Sequence, residues 1–347
     1  MYEEFELEQV SDNSNLNDSR TTKEFRVVTF SGYKKTDVKK ALLDSLQQTQ
    51  IENACYWCAE LVSAGHYLDI WEFFLLYLGK HINLANPGLV IYLEKRFTVF
   101  RNILFKDNYH DELQLRNNPT VRNIFAEVAC ILAMSPKRLS IESIKIKKDE
   151  EFDMVKIQDK LKAPSTEYSD HIFKEGDCKE LAIPINELAF ELSITDSHIP
   201  NMARACYWIE WLVTFDQLCR KRKRNCVIST RDDIPVDYKH KSEAIWLVWD
   251  TLFYQIREDK FLLKLMNSLL NIYCIQFTPA SIKKKQSILY FAVSIVTESF
   301  VRDVPLVKNK EVIQHTLDNL STIYKQIKKK EIRPSTDYLF FGLHDIS

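Results

Sequence analysis

The sequence predicts an all-α protein built from two tandem, related helical modules of about five helices each, with an extra helix towards the C-terminal end. Three observations predict it. Ala54-Cys55-Tyr56-Trp57-Cys58-Ala59-Glu60-Leu61-Val62 returns as Ala205-Cys206-Tyr207-Trp208-Ile209-Glu210-Trp211-Leu212-Val213, with six of the nine positions identical. Ile70-Trp71 and Ile245-Trp246 follow inside apolar runs, and residues 124–132 are echoed more weakly by residues 288–296. Along most of the chain the apolar residues recur at the three- and four-residue spacing of helix faces. The alternative reading of the repeat is that buried helices of any all-α protein look alike.

Residues 1–35 make up an N-terminal region whose first 24 or so residues carry Glu3, Glu4, Glu6, Glu8, Asp12 and Asp18 among Ser and Asn, which predicts a mobile acidic arm there. In the rest of the region, residues 25–33 read as an extended segment ended by Gly32. The first module is expected over residues 36–138. Thr36 reads as an N-cap with Val38, Ala41, Leu42 and Leu46 on one face. The signature helix follows, with Gly65 as its stop. A third helix over residues 67–77 ends near Gly79. Asn86-Pro87-Gly88 then precedes a helix through Val90, Leu93, Phe97, Phe100 and Leu104. Asn118-Pro119 opens a fifth, which Pro136 closes.

Residues 139–180 lose apolar content and read as a charged linker. The second module is expected over residues 181–302. Pro184 and Pro200 begin its first two helices, a basic insertion occupies residues 220–241, and three further helices complete it. Residues 303–333 predict one amphipathic helix through Val312, Leu317, Leu320, Ile323 and Ile327 that caps the stack. An aromatic tail, residues 334–347, follows.

A net charge of −1 gives no global attraction to nucleic acid or membrane, so binding to either needs a local patch. The longest apolar run, residues 287–296, is about half of a membrane span. Eight cysteines lie mostly in apolar helical stretches, as reduced thiols do, which points to an intracellular compartment, cytoplasmic or nuclear. The isolated glycines form no phosphate-cradling loop, which excludes a P-loop or a dinucleotide-binding turn.

The most concentrated charge is Arg220-Lys221-Arg222-Lys223-Arg224, followed by Lys239, His240 and Lys241. Such a run creates a field that a nucleic acid or a localisation receptor would relieve. The alternative is a solvated helix C-terminus, whose dipole the cations complement. Lys283 to Lys285 and Lys328 to Lys330 are weaker cases. Cys55 and Cys58, with His66 nearby, have zinc-like spacing, but both fall on a buried helix face and Ile209 replaces Cys58 in the repeat, so packing is expected. Cys219 and Cys226 flank the basic run and read as a metal pair, an oxidisable pair or plain core. Tyr338, Leu339, Phe340 and Phe341 read as a short partner-binding peptide or as core. The six tryptophans are expected to pack between helices. No nucleophile turn and no His-Glu-x-x-His pattern occurs, so no catalytic residue, cofactor or metal is assigned.

One family resemblance emerges from motifs in fixed order. These are Lys40-Ala41-Leu42-Leu43-Asp44-Ser45-Leu46, the signature at Ala54 to Val62, Ala64-Gly65, His81-Ile82-Asn83-Leu84-Ala85-Asn86-Pro87 and Ala129-Cys130-Ile131-Leu132-Ala133-Met134-Ser135-Pro136-Lys137. The series resembles the C-terminal helical collar of RarA/MgsA-type AAA+ proteins, relatives of clamp loaders, over roughly residues 40 to 138 and weakly in the second copy. The family's ATPase module with its Walker motifs does not occur in this chain, and Asn83 stands where the family usually has glycine. What the resemblance implies is therefore assembly: a non-catalytic adaptor or scaffold in a DNA replication, repair or transcription complex. Its expected partners are proteins of that complex, DNA through the basic insertion, and a second copy of the chain, with no membrane role. The whole chain also resembles uncharacterised proteins of large DNA viruses. The alternative is thus a structural or host-interaction protein of such a virus with no nucleic-acid role.

Overall fold

The computed structural model describes residues 14–106, 112–147, 151–152, 154–194, 201–224, 226–307 and 309–332. Among these the protein is all-α and holds no sheet, apart from one isolated bridge between Val28 and Lys34. The helices are α1 (Lys35–Gln47), α2 (Ile51–Ser63), α3 (Tyr67–Tyr77), α4 (Leu89–Lys106), α5 (Pro119–Met134), α6 (Ala182–Ser193), α7 (Asn201–Lys221), α8 (Ile245–Gln255), α9 (Lys260–Tyr273), α10 (Gln286–Thr297), α11 (Lys310–Asp318) and α12 (Leu320–Lys328). One helical turn, Met154–Ile157, and several 3-10 turns lie between them.

Local chemistry fixes the ends. The signature helix α2 closes in a Schellman turn, with Gly65 N–H bonded to Val62 O and His66 N–H to Leu61 O, both at 3.0 Å. Gly65 has φ +79°, and a Cβ there would lie 2.9 Å from Leu113 Cδ2. Its stop therefore requires glycine, as the sequence suggests. Asp259 caps α9 by accepting from the N–H groups of Phe261 (2.9 Å) and Leu262 (3.1 Å).

The chain divides into two compact units, neither a single stretch. One is drawn from Met1–Phe74, Arg96–Met134 and Val307–Ser347, the other from Leu75–Lys95 and Ser135–Leu306. In the first unit α2 packs on α1 and α5, α12 lies on α2 and α11 on α5. Trp71 is fully buried among Phe97, Phe100 and Phe125, with ring centroids 5.3, 6.1 and 5.5 Å away. Each such ring removed from water contributes roughly 1.5–3 kcal/mol.

Two expectations are corrected in this unit. From Ser14 onward the N-terminal segment is not a mobile arm, because Leu16, Phe25 and Phe30 are buried. The carboxylates that suggest an arm lie mostly before Ser14, and the residues after it supply the apolar anchors. The amphipathic C-terminal stretch, expected as one helix, is two helices broken at Asn319, and they pack on α2 and α5. Its buried stripe is Ile313, Thr316, Leu320, Tyr324 and Ile327. The N-terminal segment also meets its end, Ser19 N–H bonding Ile332 O at 2.9 Å and Ile332 N–H bonding Asp18 Oδ2 at 2.9 Å.

Arg122 of α5 joins these pieces. Its buried guanidinium donates to Arg116 O (2.5 Å), Ser14 Oγ (2.8 Å) and Asn117 Oδ1 (2.9 Å), and lies 3.9 Å from the centre of the Tyr324 ring.

In the second unit α7 packs along α6 and against α10, and α8 covers α6. The π-helical turn Leu78–Ile82 rests on α10. A Cβ on Gly79 there would stand 2.9 Å from Ser287 O, so two backbones meet where no side chain fits. Residues 139–180 are not a free linker. The Arg138 and Ser140 N–H groups bond the carbonyls of His81 and Lys80, Ile157 and Ile172 are buried, and Glu187 of α6 accepts from the N–H groups of Lys162 and Ala163. Glu151 receives the Tyr207 hydroxyl at 2.6 Å, and its carbonyl accepts from Trp211 Nε1 at 2.8 Å. Polar bonds and a few scattered apolar side chains, among them Ile157, Ile172 and Phe152 against Trp211 (ring centroids 4.9 Å), hold this coat together, and their wide spacing leaves no helical periodicity to read.

Replacing Arg122 by Met is expected to lower the unfolding free energy by about 3 kcal/mol, since it removes several charge-assisted hydrogen bonds and a cation–π contact. Urea denaturation measures the loss. Hydrogen exchange should show residues 14–17 and 320–328 deprotected before the rest of the unit; uniform deprotection would contradict the role assigned to Arg122.

Candidate nucleic-acid interface

The basic run sits at the C-terminal end of α7. Like α2, α7 ends in a Schellman turn: Arg224 N–H bonds Cys219 O at 2.8 Å and Lys223 N–H bonds Arg220 O at 3.1 Å. Here Lys223, with φ +55°, occupies the left-handed position usually given to glycine. The turn is therefore ordered by backbone bonds while its side chains stand in solvent, Lys221 to Arg224 all being exposed.

Arg220 differs from the other four. Its guanidinium bonds Asp216 one turn back at 2.8 and 3.2 Å and also pairs with Glu243. Arg220 is exposed too, but its charge is paired with these two carboxylates, so four cations of the run are left without an ion pair among the described residues. Lys239 pairs with Asp237 at 3.7 Å, His240 lies 3.4 Å from Glu243, and Lys241 donates to Asp232 O. With Asp232 and Asp233 also exposed, this flank adds little net positive field.

The weaker clusters separate in the same way. Lys285 is buried and donates to Tyr273 O at 2.8 Å and to Ile275 O, so it caps the end of α9. Lys283 and Lys284 are exposed, as are Lys329 and Lys330.

A buried ion network anchors the segment after the turn. Arg231, 3% exposed, donates to Asp177 at 3.0 and 2.8 Å and to Asp250 of α8 at 2.7 Å. Ser229 N–H also bonds Asp177, at 2.8 Å. Burial alone would raise the Asp177 carboxyl, but hydrogen bonds from Arg231 and from the Lys174 and Ser229 N–H groups outweigh it and hold the group below its usual range. Arg231, Asp177 and Asp250 are far apart in the chain, and each alone looks like an ordinary surface charge.

The cysteine motifs resolve differently from one another. Cys55 and Cys58 face α5, with Cys55 Sγ 3.4 Å from Cys130 Sγ and Cys58 Sγ 3.7 Å from Phe125 O. His66 bonds Val28 O at 3.2 Å and does not join them. Burial pushes the Cys58 thiol far up, as expected of a packing residue. Among the described residues no group of three His, Cys, Asp or Glu side chains is arranged to hold a metal. Cys226 meets Cys178 at an Sγ–Sγ distance of 3.0 Å. Cys178 had no sequence signal, since it lies outside the insertion. Tyr338, Leu339, Phe340 and Phe341 lie outside the described residues.

Together the fold and this site define an all-helical protein with an ordered, solvent-facing basic helix end. Compared with protein-family models, characterised proteins and solved structures, the chain matches none.

Lys223→Gly is expected to raise stability by about 1 kcal/mol, because glycine adopts the left-handed position without the Cβ penalty. No gain in a denaturant midpoint would mean that the turn is not built as described. Arg231→Met is expected to cost about 3–5 kcal/mol, as it leaves Asp177 buried and unpaired. In the wild type the contribution of Asp177 is present above its ordinary value of 3.8 and is lost as pH falls below it. The stability difference between wild type and Asp177→Asn should therefore shrink in acid; a difference independent of pH would contradict this.

Proposed function

We propose that the protein is a non-catalytic helical adaptor in a DNA replication, repair or transcription assembly, which meets nucleic acid through the α7 terminus and protein partners through its helix faces. The observation that carries the reading is the set of four exposed cations, Lys221, Arg222, Lys223 and Arg224, on a turn ordered by its own backbone. A preordered cationic turn sheds fewer degrees of freedom on meeting a phosphate backbone than a flexible run would.

Further features support the adaptor reading and the doubled unit behind it. The Tyr56–Trp57 and Tyr207–Trp208 ring pairs have the same geometry, with centroids 5.1 Å apart and interplanar angles of 78° and 77°. The helices that carry them pack alike, α2 between α1 and α5, α7 between α6 and α10. Asn83 has φ +36° and ψ −119°, a backbone state that suits glycine. That agrees with a collar-like pattern in which glycine is usual at this place. The buried thiols fit a reducing intracellular setting, cytoplasm or nucleus.

A titration of duplex DNA against salt tests the reading. Four cations on B-DNA predict a slope of log binding constant against log salt of about −3 to −4. Changing residues 221–224 to Gln should flatten that slope and abolish binding at moderate salt. Arg220 is left intact in this variant, since its loss would unpair Asp216 and Glu243 and confuse binding with folding. An unchanged slope overturns the proposal. No binding even at low salt returns the chain to the alternative, a structural or host-interaction protein without a nucleic-acid role.

A further inference from the structure

We propose that Cys178 and Cys226 form a reversible disulfide by exchange with a small-molecule disulfide such as oxidised glutathione, making a redox clasp at the base of the basic turn. The two sulfurs stand 3.0 Å apart, so bridging needs roughly 1 Å of approach to reach disulfide length. The backbones that carry them are already tied together. Asp177, next to Cys178, bonds both Arg231 and the Ser229 N–H, and Ser229 Oγ donates to Glu175 O. Side-chain rotation alone can supply the remaining distance.

Access decides which thiol acts first. Cys178 is partly exposed, whereas Cys226 is buried. The Cys178 thiolate attacks one sulfur of oxidised glutathione, which forms a mixed disulfide and releases one glutathione thiolate. Cys226 then attacks the Cys178 sulfur and expels the second. Each cysteine proton passes through solvent to a departing glutathione, so the net change is two protein thiols plus one glutathione disulfide to one protein disulfide plus two glutathione thiols. Burial pushes the Cys178 and Cys226 thiols up, so the exchange accelerates with rising pH through the neutral range.

The chain carries its own control. Cys55 and Cys130 are nearly as close, at 3.4 Å, but both are buried between α2 and α5, where a glutathione molecule has no approach. Proximity without access should give no reaction. Cys219, on the other side of the basic turn, lies close enough to Cys226 to influence it electrostatically and is the competing thiol. Cys178 is favoured over it by exposure, Cys219 being buried. The clasp stands whether or not the basic turn meets DNA.

The test uses the full native chain incubated with oxidised glutathione, quenched with an alkylating reagent and mapped by peptide mass spectrometry. The expected result is loss of two of the eight free thiols, a single linked peptide pair joining Cys178 to Cys226, and full recovery on reduction. Cys178→Ser should abolish that pair, while Cys55→Ser leaves it unchanged. Complete alkylation of both Cys178 and Cys226 after oxidation, or a link from Cys226 to Cys219 in place of Cys178, overturns the proposal. The wild-type protein alone decides this, even if a variant fails to fold.

Discussion

The buried guanidinium of Arg231 is the constraint on which the proposed working face depends. One cation between Asp177 and Asp250 fixes the chain after the basic turn to the loop before α6 and to α8. Taking charges out of water costs several kcal/mol per ion, so such a triad adds little net stability unless every bond is well placed. What it does give is position. With Arg231 held by both carboxylates, residues 226–231 have one seat, and the turn at residues 221–224 inherits its orientation from both ends.

The same logic explains why the basic run divides into structural and displayed charge. Arg220 lies on the helix, where Asp216 is one turn away and Glu243 within reach, so its charge is satisfied internally. Lys221 to Arg224, at the helix end and in its Schellman turn, form no ion pair among the described residues, although Arg224 lies near enough to Glu180 to act on its carboxyl. Four cations are thus free to answer an anion, and the helix dipole favours their presence at this end even without one. A similar division separates Lys285, which caps α9 from a buried site, from its neighbours Lys283 and Lys284 in solvent.

Helices and their stops were legible in the sequence because they are local. The apolar spacing of α2, the Gly65 stop and the packing role of Cys55 and Cys58 all depend on residues within a turn or two of one another. What remained hidden depends on partners far along the chain. Leu16, Phe25 and Phe30 follow no helical period, and they become anchors through tertiary packing, the two Phe rings stacked on each other under Arg20. Residues 139–180 are held by polar bonds to α6 and α7 and by scattered apolar residues such as Ile157 and Ile172, too widely spaced to form a hydrophobic pattern. The break at Asn319 shifts the buried stripe of the last two helices onto Ile313, Thr316 and Tyr324. Cys178 and Arg231 gained meaning only when their partners, 48 and 54 residues away, stood beside them. The site was half visible: its charges could be counted, but which of them face solvent could not.

The central claim is that an anionic partner docks on the turn at residues 221–224. Hydrogen exchange on the full chain with and without a short DNA duplex, at low salt, tests it most directly. The account predicts new protection concentrated at the end of α7 and through residues 226–231. Protection centred on the lysines near the end of α12, or none at DNA concentrations where binding is saturated, would contradict it.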